Sequence, residues 1–200
     1  MNRKQAIMET ATRLFAEKGF YNTSTVEIAE SAGVAHGTIF YHYKNKEGIM
    51  LEIFQHAGDI YLEEMAAAAE SRKSGMEKIE AILRFNTAFR HTHSRQLLIF
   101  LRDFPEKLNS QESELKTMVE ATSERVLELI SCCLEAGIAD GSIAPVDTRK
   151  TAFIINGLTF GLLHMDLLSP VQVPELEEDV NQFCRAALLR GRLRPNHNKE

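Results

Sequence analysis

The stretch "TVEIAESAGVAHGTIFYHYKNKEGI", residues 25–49, decides how the rest of the chain is read. Within it five rings (His36, Phe40, Tyr41, His42 and Tyr43) fall in eight positions, and Lys44 and Lys46 follow. Ser24 and Glu27 have the S-x-x-E spacing of a capping box, so a helix should begin near Thr25. It has room for about two turns before Gly33, a residue able to take the positive φ of a sharp turn. A second short helix should occupy about residues 35–43. Upstream, Ile7, Ala11, Leu14 and Phe15 make one apolar helical stripe, which Lys18 and Gly19 end. Two short helices, a glycine turn and a bracing amphipathic helix are the ingredients of a helix-turn-helix, whose second helix enters a DNA major groove.

On a helical wheel Ile39 and Tyr43 lie side by side and are the expected core contacts of that second helix. Gly37, Thr38 and Tyr41 then point most nearly outward, Phe40 and His42 lie on the flanks, and His36 sits at the helix start. Hydroxyls and imidazoles on an outward face suit base edges and phosphates, and Gly37 would let backbone approach DNA closely. Asn45 should cap the next helix, with Lys44 and Lys46 near amides and a dipole end that favour phosphate.

The segment resembles the DNA-binding domain of TetR-family transcriptional regulators. The likeness covers about residues 5–55 and rests on "ATRLFAEKGF", "IAESAGV" and "GTIFYHYKNKE". It implies a homodimer in which each N-terminal domain reads one half-site of a roughly palindromic double-stranded operator. A larger C-terminal domain would then bind a small-molecule inducer and supply the dimer interface. Position by position, the resemblance assigns base contacts to His36, Gly37, Thr38, Tyr41 and His42, and phosphate contacts to Ser24, Thr25 and Lys46. Phe40 departs from the tyrosine common in relatives and has no hydroxyl to offer. No arginine stands in the recognition helix, so discrimination should come from His36, Thr38, methyl contacts and DNA shape.

Beyond residue 45 the chain again reads as helices, in segments near 46–70, 75–93, 94–104, 111–139, 147–168 and 174–191. Pro105, Gly141, Pro145, Pro170 and Pro174 fall in or near the gaps, and no stretch alternates with period two for long. The expected fold is all-α with about nine helices. Its division would be a DNA-binding domain at 1–60, with the helix-turn-helix motif at about 25–44, and a ligand-binding and dimerisation domain at 61–200.

Phe85, Phe89, Phe100, Phe104, Met118 and Phe160 could line an apolar pocket, with Arg84, Arg90, His93 and Asn156 as polar contacts. Rings at helical spacing equally suit a filled core. His91 and His93 are two apart and face different ways, a poor metal pair, and neither metal nor cofactor is expected. The apolar run 151–168 contains Asn156, His164, Asp166 and two glycines, which argues for a helix buried on most sides and against a membrane span. Gly157 and Gly161 would let a second helix approach. Val180, Phe183, Cys184, Ala187 and Leu188 offer a matching stripe, so a four-helix dimer interface is expected.

Composition bounds the function. Apolar residues make up 44% of the 200, enough for a substantial core, and the net charge of −5 gives no hint of nucleic acid. That charge is unevenly placed, since residues 1–50 carry six Lys/Arg against five Asp/Glu. Three cysteines without CxxC spacing or a signal peptide fit a reducing cytoplasm, and a redox role for Cys132 and Cys133 has little support. No nucleophile–base motif, phosphate loop or metal spacing suggests an enzyme. The function indicated is a ligand-responsive DNA-binding regulator, most naturally a repressor. The alternative is a helical small-molecule carrier or adaptor that does not read DNA.

Overall fold

The computed structural model describes residues 2–107, 114–169 and 176–190, with the side chains of residues 104–107 outside that description. Among the described residues there are nine helices and no strand. They are α1 (Arg3–Lys18), α2 (Thr25–Ser31), α3 (His36–Tyr43), α4 (Lys46–Glu70) and α5 (Gly75–Thr92). Then come α6 (Ser94–Lys107), α7 (Glu114–Ala139), α8 (Thr148–Leu168) and α9 (Leu176–Arg190).

The chain packs as two compact units. One comprises Met1–Ile60 with His93–Glu120, the other Tyr61–Thr92 with Ala121–Glu200. Residues 93–120 thus join the N-terminal unit, because α6 packs on α1 and carries Ile99 into that unit's core. That core gathers Ile7, Leu14, Phe15 and Phe20 with Ile28, Ile39, Tyr43 and Ile49.

Three side chains hold the turn between α1 and α2. The Arg102 guanidinium donates to the carbonyl of Phe15 and, at 3.1 Å, to that of Ala16, which satisfies the C-terminal end of α1. Buried Asp103 accepts the Phe20 N–H at 3.3 Å and pairs with Arg102 at 3.0 Å. Lys46 donates to the carbonyls of Phe20 (2.9 Å) and Thr23 (3.0 Å) and lies over the Phe20 ring.

The second unit is centred on Met65, Ile79, Ile82, Ile130, Leu134, Ala152, Ile155, Cys184 and Leu188. Where α5 begins, it crosses α7 so closely that a Cβ on Gly75 would lie 2.0 Å from the Gly137 nitrogen. Asp140 and Ser142 cap this start, accepting from Gly75 N–H at 2.7 Å and Met76 N–H at 3.1 Å. The Asp140 carboxyl is held below its usual range by hydrogen bonds that it accepts, foremost from the Ser142 side chain and then from the Gly75 and Ser142 N–H groups.

The helix expected to be buried on most sides is not. Thr151, Ala152 and Ile155 of α8 are buried, while Phe153, Ile154, Phe160, Met165 and Leu168 are exposed. One stripe of α8 meets its own unit's core, and among the described residues the large apolar side chains of its other side are exposed. By length and composition α8 is long and apolar enough to cross a membrane.

Candidate nucleic-acid interface

The interface is built on short local signals. Ser24 caps α2, its Oγ accepting the Glu27 N–H at 3.1 Å, but the Glu27 carboxylate turns to Lys18 and does not complete the reciprocal box. Gly33 makes the turn at φ +67°. Lys44 ends α3 at φ 63°, a left-handed conformation taken without glycine, and Asn45 Oδ1 accepts the Gly48 N–H at 2.7 Å to open α4.

Within α3, Ile39 and Tyr43 are buried as the wheel required. The Tyr43 hydroxyl donates to the Lys4 carbonyl at 2.6 Å, tying α3 to the first turn of α1. Burial, with a smaller contribution from the charge of Glu52, pushes this phenol up to about 12. The opposite face is open: Tyr41 is 84% exposed, Phe40, Gly37 and His36 are exposed, and Thr38 and His42 are half-buried. Phe40, the ring the wheel left on a flank, meets His36 edge to face at 4.9 Å. His42 lies between Tyr41 (4.9 Å) and Tyr43 (6.3 Å).

Of the residues expected at phosphates, Ser24 is exposed beside α2's first turn. Thr25 Oγ1 lies 3.0 Å from His36 Nε2, a pairing across the turn that the residue pattern did not suggest. Lys46 is half-buried and braces the α1–α2 turn, a structural part that its position in the motif did not reveal. Sequence reading also missed Arg102 and Asp103, whose partners lie more than eighty positions away.

The residues expected to line a pocket are shared between the two units. Phe85 and Phe89 stack with Tyr61 in the second unit, at ring separations of 5.4 and 5.0 Å from it. Half-buried Tyr61 donates to Asn86 Oδ1 at 2.6 Å, and its phenol is raised by desolvation against the opposing effect of that bond. Nearby in sequence, buried Arg90 pairs with Asp166 at 3.0 Å and with Glu177. In the same unit Asn156 is half-buried, and Arg84 and Phe160 are exposed. Phe100 and Met118 pack instead on the core of the first unit, to which His93 also belongs. The side chain of Phe104 lies outside the description.

The residues expected at a dimer interface divide in two. Gly157 and Gly161 face open space, Phe183 is 64% exposed, and Ala187 is exposed. Val180 packs on its own unit's core with Cys184 and Leu188, because positions four apart share a face and this face turns inward. Burial raises the thiols of Cys133 and Cys184, partly offset at Cys133 by Lys78, which leaves them poor nucleophiles. Among the described residues no group of three His, Cys, Asp or Glu is placed to hold a metal.

Residues 7–53 match the family model of bacterial regulatory proteins, tetR family. The uncharacterized HTH-type transcriptional regulator YhgD of Bacillus subtilis (strain 168) is 29% identical over 168 residues, covering 82% of this chain and 83% of its own. The structure of the regulator FadR from Bacillus subtilis, in complex with stearoyl-CoA, superposes with a TM-score of 0.76 at 21% identity. That superposition covers 94% of this chain and 98% of FadR. AibR, in complex with isovaleryl coenzyme A and operator DNA, matches with a TM-score of 0.71 at 22% identity, over 95% of this chain and all of its own (100%). With the family match lying on the helix-turn-helix, and the fold shared along nearly the whole chain, residues 7–53 of this protein are a DNA-binding domain of the TetR family of bacterial regulatory proteins, carried on the fold of such regulators.

Proposed function

We propose that this regulator is a cytoplasmic repressor that binds a palindromic operator as a homodimer and is released by a small amphipathic ligand. What carries the reading is α3: its inner side is anchored by buried Ile39 and Tyr43, and its outer side is an exposed row of polar and aromatic groups. On this reading His36, Gly37, Thr38, Tyr41 and His42 meet base edges, and Ser24 and Thr25 meet phosphate. Lys46 adds positive charge beside the same turn while it holds that turn together.

The homodimer reading rests on the uncovered side of α8 and α9. Phe153 is 68% exposed, and Phe160, Met165, Phe183 and Leu189 are exposed with it. So many large apolar side chains exposed on two helices suit an interaction site, and Gly157 and Gly161 leave room for a partner helix. Two subunits joined there would present two α3 helices, which must match half-sites about 34–36 Å apart or a multiple of that. A modest change in their separation would release DNA.

For the effector we propose an acyl-coenzyme A ester, the ligand class bound by FadR and AibR. The rings of Tyr61, Phe85 and Phe89 would meet the acyl part. The decisive measurement is a gel shift on the gene's own upstream region, titrated with salt and then with acyl-CoA esters of increasing chain length. The expected result is a specific complex, weakened by salt and released by one range of chain lengths. A protein that binds acyl-CoA and retards no upstream DNA would instead be a carrier or adaptor.

A further inference from the structure

The contact between Thr25 and His36 bears on how the operator is read, and it rests on the DNA-reading role proposed for α3. Thr25 opens α2 and His36 opens α3, and Oγ1 lies 3.0 Å from Nε2 across the turn. Phe40 holds the same imidazole edge to face at 4.9 Å. The ring is therefore fixed by a neighbour on one nitrogen and by an aromatic contact, in an otherwise exposed residue. Its second nitrogen, Nδ1, is the atom with chemistry left to offer.

A neutral imidazole has one N–H and one bare nitrogen, and the partner of one decides the character of the other. A threonine hydroxyl has a single hydrogen to donate and two lone pairs with which to accept. A phosphate oxygen at the start of α2 can only accept, so the Thr25 hydrogen goes to it. Thr25 Oγ1 must then accept from His36 Nε2–H, which leaves Nδ1 as a bare acceptor. In the major groove that acceptor complements an exocyclic amine, adenine N6 or cytosine N4, and opposes guanine O6 or thymine O4. We propose that Thr25 and His36 form one specificity unit, in which the phosphate-bound Thr25 sets the imidazole to read an adenine or cytosine amine. Thr25 is then a positioning residue with a bearing on sequence, beyond the sequence-independent phosphate contact that its place in the motif implies.

The test is selection of duplexes from a randomised pool by the full-length protein, followed by titration of every single-base variant of the selected operator. Wild type, Thr25→Val, Thr25→Ser and His36→Ala are compared, each with a thermal melt. At the base pair that His36→Ala blurs, replacing the amine-bearing base by its amine-free analogue (purine for adenine, 2-pyrimidinone for cytosine) should cost wild type about tenfold, the size of one hydrogen bond, and should cost His36→Ala much less. Thr25→Val should flatten preference at that same position and leave the others intact, and Thr25→Ser should restore it. Wild type binding the amine-free base as tightly as the selected one sinks the assignment. So does a Thr25→Val protein that loses the same factor on every sequence with its preferences unchanged. If wild type selects no motif at all, the DNA-reading role of α3 fails, and that outcome is distinct from the other two.

Discussion

At Gly37 the backbone of α3 has room for a side chain that the chain does not supply: a Cβ built there meets nothing within 4 Å. Among the described residues nothing requires glycine at a position where alanine favours the helix by up to about 1 kcal/mol. The reason proposed for it lies outside, in the closeness of DNA. Gly37→Ala should therefore melt no lower than wild type yet bind operator more weakly. A thermal melt beside a fluorescence-anisotropy titration checks this, and unchanged affinity would remove Gly37 from the interface. Tyr43 makes a different kind of prediction. Its phenol is raised from the ordinary 10.0 to about 12, so the stability linked to this shift is complete below pH 10 and is lost as pH rises through about 12. Tyr43→Phe should flatten part of the fall in melting temperature between pH 10 and 12. Tyr61, raised in the same direction, supplies a further part. That Ile39 and Tyr43 face inward was legible from helical spacing alone. The hydroxyl's partner was not, since Lys4 lies 39 residues away.

The turn from α1 to α2 is the element on which the recognition helix depends, and its stability comes largely from side chains of other helices. Asp103 supplies an acceptor to the Phe20 N–H and a counter-charge to Arg102 in a buried place. Removing it takes one acceptor from the Phe20 N–H and the counter-charge from Arg102, which keeps the carbonyls of Phe15 and Ala16, so Asp103→Ala should cost about 1–3 kcal/mol. Urea unfolding followed by far-UV circular dichroism measures this, and a loss below about 0.5 kcal/mol, the range of ordinary surface substitutions, would show the contact to be incidental. The helices themselves were legible because their signals are local: the Ser24 cap, the turn at Gly33 and the Asn45 cap each lie within three residues of what they organise. The α6 clamp was not, because its two ends meet only after the chain has made most of its helices. Periodicity cannot report such a pairing.

For the whole molecule the open question of the sequence was where the apolar length of α8 would go. Its composition pointed to burial, and among the described residues only one stripe of it is buried. If two subunits join through α8 and α9, Phe183→Glu should yield a monomer, since a carboxylate in an apolar interface must be desolvated without a partner. Light scattering after size exclusion measures the mass, and the same variant should lose operator affinity through loss of the second half-site. A wild-type monomer at micromolar concentration overturns the interface. Sequence alone could not divide α9: Val180, Phe183, Cys184 and Ala187 are all plausible members of one stripe, and only the packing showed which turn inward. The pocket residues were ambiguous for the same reason, because a ring at helical spacing fits a core and a ligand wall equally well.

The crossing of Gly75 and Gly137 bears on how this regulator can change over generations. A side chain on Gly75 would have to occupy the space of backbone atoms, which cannot rotate aside as a flexible side chain does. Gly137 has somewhat more latitude, since its nearest obstacle is the side chain of Ile143. Descendants that acquire a new effector should therefore vary widely around Phe85, Phe89 and Asn156 while Gly75 stays as it is. A mutational library aimed at a new inducer is best built with that position held constant, since variants there would be lost to misfolding before any ligand could select among them.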